Sequence, residues 1–220
     1  MITTDKVACQ TCHIPMFARK LPTKIRWDWS TAGQKDSEGK PFKKKGPLGL
    51  LTYDGMKGNF EWQKNVKPVY LWFNGSITQV MAYSKINPNQ QPVNLTKIEG
   101  DSSDPKARIY PFKLHTGRQP YDKENYTMVV AKLFGPPGSG AYWSDYDWNK
   151  AITAGMAYVG LPYSGKYDFI ETNYYLQISH MVAPKEQAVS CQECHSLDSR
   201  LKGITGVYIP GRDSNRQPVP

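Results

Sequence analysis

Hydrophobic and polar positions alternate in short blocks along the chain, and few of them keep a period for long. Pro68–Phe73 (PVYLWF) and Thr127–Leu133 (TMVVAKL) are rich in β-branched and aromatic residues and predict strands. Trp148–Val159 places Ala151, Ile152, Ala154 and Met156 at helix-compatible spacing and predicts a helix. Two further short helices are expected, one from Cys9 to about Lys20 that stops at Pro22, and one over Val189–Leu201. Between these blocks lie turn formers. Residues 33–47 read as a solvated basic loop, and FGPPGSG after Leu133 is a turn cluster without the G-K-[ST] of a phosphate loop.

Composition narrows the class. Of 220 residues, 18 are Gly and 17 Pro, yet aromatics reach 12%, which excludes a disordered tail. No run approaches the length of a membrane span, and mean hydropathy is −0.59. The expectation is one loop-rich domain over residues 1–220 with modest regular structure.

The chemistry lies in four cysteines. Cys9-Gln10-Thr11-Cys12-His13 and Cys191-Gln192-Glu193-Cys194-His195 both read C-x-x-C-H, the attachment motif of c-type haem, and together they use every cysteine. Two thiols one helical turn apart add across the two vinyl groups on one porphyrin edge. The next residue's imidazole then falls under the iron as proximal ligand. A zinc site is disfavoured by the His that follows each pair and by the pairs' wide separation, a thioredoxin-like redox motif because it normally occurs once at a strand-to-helix junction, and a disulfide framework because it needs no His at these positions. The reading is therefore two covalently attached haem c groups, with His13 and His195 as proximal ligands.

Two histidines remain, His115 and His180, for two open distal positions. Imidazole suits iron, so both haems are expected to be bis-His and low-spin. A distal Met, or one vacant position implying catalysis, are the rivals. His180 could loop over its own haem or reach across to the first; the second arrangement is favoured.

Thioether attachment of haem takes place outside the cytoplasm, so a periplasmic or extracellular location is expected. The opening Met1–Lys6 has no apolar signal region, which points to a trimmed chain, mature numbering or a piece of a longer protein. Residues 1–70 hold 13 Lys/Arg against 6 Asp/Glu, with Lys43-Lys44-Lys45 at the peak. That excess reads either as a solvated loop or as a docking face for an acidic redox partner. No nucleic-acid motif accompanies it. The sequons at Asn74, Asn94 and Asn125 decide nothing.

Longer blocks carry a family resemblance. ARIYPFKLHTGRQPYD (Ala107–Asp122), KLFGPPGSGAYWSDYDW (Lys132–Trp148), GLPYSGKYDFIETNYYLQISHMVAPKEQAVSCQECHS (Gly160–Ser196) and the final LKGITGVYIPGRD resemble the octahaem tetrathionate reductase family of multihaem cytochromes c. The opening VACQTCHIPMFARKLPTKIRWDWSTAG is similar to that family's penultimate haem segment, so the resemblance covers nearly the whole chain. It implies the C-terminal two-haem portion of an eight-haem chain, with His115 and His180 as distal ligands. Six haem motifs of the family are absent, its active-site haem among them. No C-x-x-C-K occurs, so the reductase activity does not carry over.

The fold expected is a multihaem cytochrome c: loop-rich, with short α-helices at the haem motifs, minor β structure and a core organised around two haems. The function expected is electron transfer to redox partners, such as other multihaem cytochromes or neighbouring copies in an oligomer or haem wire. The alternative is a haem enzyme of tetrathionate, nitrite or hydroxylamine reductase type, or a dihaem peroxidase. Asp145, Asp147, Tyr121 and Tyr175 are candidate proton donors there, but too common as types to count. A ligand sensor or structural cap is a third reading. Trp27, Trp29, Trp72, Trp143 and Trp148 read as packing around a large apolar cofactor.

Overall fold

The structure is a computed structural model that describes residues 5–213. Helices are α1 (Cys9–His13), α2 (Tyr142–Asp145), α3 (Trp148–Tyr158) and α4 (Cys191–Cys194). Strands are β1 (Thr23–Asp28), β2 (Lys43–Lys45), β3 (Leu51–Asp54), β4 (Gly58–Gln63), β5 (Val69–Phe73), β6 (Ile77–Gln79), β7 (Val93–Asn94), β8 (Thr96–Ile98), β9 (Arg108–Asp122), β10 (Thr127–Met128) and β11 (Tyr167–Gln177).

The expectation of minor β structure is corrected here. Nine strands form one sheet in the order β2-β3-β4-β1-β9-β11-β7, with β5 and β10 also paired to β9. β9 is its spine: fifteen residues long, antiparallel to β11 from Phe112↔Gln177 to Asp122↔Tyr167 and parallel to β1. Pro111, Gly117 and Pro120 interrupt the β9 sequence, and each proline costs a ladder donor. Neighbours on both edges nevertheless hold the strand, because β5, β1 and β10 take successive stretches of it.

Both motif helices are shorter than expected. α1 ends at His13, because Pro15 forces Ile14 out of the helical region (φ −120°, ψ 74°). α4 ends at Cys194, whose carbonyl is taken by the Ser199 hydroxyl at 2.6 Å instead of by a helical N–H. The strand expected over Thr127–Leu133 keeps only β10. Its remainder lies extended along α3, with Lys132 N–H donating to the Ala151 carbonyl at 2.9 Å. Gly155 permits this approach: a Cβ there would lie 2.2 Å from the Val130 oxygen. The helix expected over Trp148–Val159 is present as α3, with Asp147 capping its first turn. β5 matches its expected strand. The basic loop of residues 33–47 includes β2, whose three lysines occupy a sheet edge and so discourage pairing with another chain.

Candidate haem-binding site

The two C-x-x-C-H segments, at opposite ends of the chain, meet. Segment Lys6–Ala8 pairs along β9 at Ile109, with Ala8 N–H donating to the Ile109 carbonyl at 3.1 Å and Thr11 Oγ1 to the same oxygen at 2.6 Å. That fixes α1 at the head of the sheet. The chain after β11 then runs over α1: Ile178 packs on Ile14 and Phe17, Ala183 N–H donates to the His13 carbonyl at 2.7 Å, and Val189 N–H donates to the Cys12 carbonyl at 2.8 Å. α4 follows at once. Its first turn is closed by a capping box, Ser190 against Glu193. Arg200, its side chain 10% exposed, pairs with Glu193 and donates to the Pro15 carbonyl at 2.6 Å, tying the second motif to the segment after the first.

Between the motifs lies a cavity of about 330 Å³. Cys9, Cys12 and His13 line it on one side and Cys191, Cys194 and His195 on the other, with Val7, Val189 and Leu201 supplying apolar wall. All four cysteines are free thiols. Burial, with the neighbouring Cys12 sulfur, pushes the Cys194 thiol up to about 11.

The donor set fits haem c. In three of the four histidines the Nδ1 atom faces a backbone carbonyl: His13 with Ala183 at 3.4 Å, His195 with Pro210 at 3.0 Å and His115 with Lys24 at 3.2 Å. A carbonyl only accepts, so it selects the tautomer with the proton on Nδ1 and leaves the Nε2 lone pair for a metal. Burial lowers the His115 pKa against the opposing pull of the Lys24 carbonyl, and the Lys113 and Lys24 charges add to the lowering. That direction favours the neutral ring, the form that ligation requires.

The fourth histidine, His180, is exposed and lies between Ile178 and Ala183, beside the first motif rather than the second. His115 stands apart from the motifs. It lies on β9 six positions after Ile109, about 20 Å along the strand. The structure therefore gathers Cys9, Cys12, His13, Cys191, Cys194, His195 and the His180 segment at one end, and holds His115 further along the sheet. Sequence reasoning missed the residues that orient these histidine rings. Ala183, Pro210 and Lys24 act through backbone carbonyls, which no side-chain pattern reveals. The Ser190/Glu193 capping box was legible as S-x-x-E.

Among the described residues no helix is long and apolar enough to cross a membrane. A family model described as bacterial cytochrome c matches residues 24–198. The chain is also similar to the crystal structure of an octaheme cytochrome c from Shewanella oneidensis, at 44% identity and a TM-score of 0.85. That match covers 98% of this chain and 49% of the other, so the chain spans about half the length of its octaheme neighbour. No curated protein matches. Covalently bound haem c is what such a family carries, and the cysteines and free Nε2 atoms described above suit it. On sequence and fold together, the chain belongs to the bacterial cytochrome c family, among its multihaem members.

Proposed function

We propose that the chain is an electron-transfer module holding two haem c groups in close succession, outside the cytoplasm, and exchanging electrons with other multihaem cytochromes. The observation that carries the reading is the shared cavity: both C-x-x-C-H motifs face it, so groups attached to them are neighbours. Haem c, when bound, supplies a one-electron ferric/ferrous couple. Cys9 and Cys12 would hold one haem covalently, and Cys191 and Cys194 the other. His13 and His195 present Nε2 as proximal ligands, each kept in orientation by the carbonyl behind it. His115 and His180 are proposed as distal ligands, with His180 serving the first haem because its segment crosses α1. With all four imidazoles engaged as ligands, the chain would offer no open position for a substrate. The solvated β2 lysines at the sheet edge would steer an acidic partner by charge.

Intact mass and low-temperature EPR on the oxidised protein test this. The expected result is a mass increment of two haems and two low-spin signals without a high-spin component. A high-spin signal in proportion to one haem would mean an open iron, and a reductase of the neighbour's kind would replace the present reading.

A further inference from the structure

Charged side chains that are half buried on a sheet face usually find a counter-charge within the fold, since stripping water from an unpaired ion is costly. One group here does not. Lys113 and His115 alternate onto the face of β9 that Ile109 turns toward the Cys194 and Leu201 cluster, and Lys24 stands beside them on β1. Lys24 Nζ lies 3.8 Å from the ring centroids of both Trp27 and Phe60 and 5.3 Å from that of Trp62. Lys57 reaches in from the turn before β4, its Nζ 5.2 Å from the Trp143 ring, and Lys113 Nζ donates to Thr23 Oγ1 at 2.6 Å. Among the described residues none of these three ammonium groups pairs with a carboxylate. Glu61 on β4 and Glu171 on β11 pair with Arg26 instead. Three ammonium groups and an imidazole whose Nδ1 faces the Lys24 carbonyl thus share one half-buried patch.

We propose that Lys24, Lys57 and Lys113 form a cradle for the propionate carboxylates of the haem whose iron takes His115 Nε2. The inference rests on the haem c reading above and adds the side chains that meet the acidic edge of the group. Its chemistry is that of the patch: an imidazole nitrogen and, around it, ammonium groups held by aromatic rings and a hydroxyl but by no carboxylate of the described residues, so an anion from outside the fold would suit them. The cysteines hold a haem by its vinyl edge, so its propionates point away from C-x-x-C, and a cationic cluster set apart from the motifs is where they can be met. The carboxylates have two possible sources. One is a haem attached to this chain's own cysteines. The other is a haem carried by another polypeptide, given an octaheme neighbour about twice as long.

The test uses the haem-loaded chain with Lys24, Lys57 and Lys113 all replaced by Met, titrated spectroelectrochemically beside a Lys166→Met control. Cations near a haem favour its electron-rich reduced form. One midpoint potential is therefore expected to fall and the other to hold, with EPR still low-spin; that result assigns the cradle to the chain's own haem. In a second arm, a haem c peptide with one histidine ligand and an open sixth position is added. Conversion of the peptide to low spin by the parent chain, abolished by His115→Ala and weakened about tenfold or more in the triple variant, assigns it to a haem of another polypeptide. Should the triple variant misfold, Lys113→Met, away from the aromatic cage, carries both arms, with Lys113→Arg as the rescue. Two haems loaded, but neither a midpoint nor peptide binding altered, would overturn the proposal. A chain that loads no haem would instead overturn the proposed function.

Discussion

Around α3, apolar side chains close on one another. Trp148 stacks on Tyr142 at 3.9 Å and meets Trp29 and Phe169 edge-on, while Ala151, Ile152 and Met156 are fully enclosed. At the motif end the contacts are of another kind. Short loops are tied to distant carbonyls by the Thr11 and Arg200 side chains, the Ser190/Glu193 box closes the first turn of α4, and a cavity lies between the motifs. The first region draws its cohesion from buried area within the polypeptide. The second is shaped around something the polypeptide does not itself provide. Such a region gains stability from the group it binds, by covalent attachment and metal ligation.

The contrast can be broken in order of effect. Trp148→Ala should cost the most, about 4 kcal/mol of global stability in urea denaturation, because it empties the centre of the α3 cluster. If it costs less than any change at the motif end, the contrast is wrong. Arg200→Ala should cost about 2 kcal/mol, since it removes the buried guanidinium's bonds to Glu193 and to the Pro15 carbonyl while Ser190 still holds Glu193. Hydrogen exchange should then rise around α1 and α4 while α3 stays protected; equal loss in both places would make the molecule one cooperative unit.

A third change concerns acid. Burial by itself would raise the Asp122 pKa. Hydrogen bonds from Ser164 and from Asn125 outweigh it and bring the value down to about 2 from 3.8. A depressed carboxylate stabilises the fold above its unfolded value. Its contribution, about 2 kcal/mol, should disappear as pH falls from about 4 to about 2. Asp122→Asn should flatten that part of the stability–pH curve, and an unchanged acid limb would show that other carboxylates govern it. Smallest of all, Lys44→Gln on the edge strand should alter stability by less than about 0.5 kcal/mol, while slowing association with an acidic redox partner at low salt. Unchanged kinetics would remove β2 from the docking face.

How much of this was legible depended on the range of the interaction. α3 and β5 were readable because their apolar spacing is local and their caps adjoin them. β9 and β11 were not: Lys113, His115, Gln119 and two prolines give β9 no clean alternation, and only pairing across the chain makes it a strand. Thr127–Leu133 misled for the converse reason. Its β-rich composition serves an extended segment packed on a helix as well as it serves a ladder.

The candidate site divides in the same way. Cys9, Cys12, His13, Cys191, Cys194 and His195 declare their chemistry by spacing alone, because the porphyrin's vinyl edge and the iron set that spacing within five consecutive residues. That the two motifs face one cavity, that the His180 segment crosses the first and His115 lies well along the sheet, and that Lys24, Lys57 and Lys113 gather without a carboxylate partner among the described residues follows from no local pattern. Those placements depend on which strand lies against which. Strand order is decided by the burial and hydrogen bonding of the whole sheet, a quantity that only the folded chain defines.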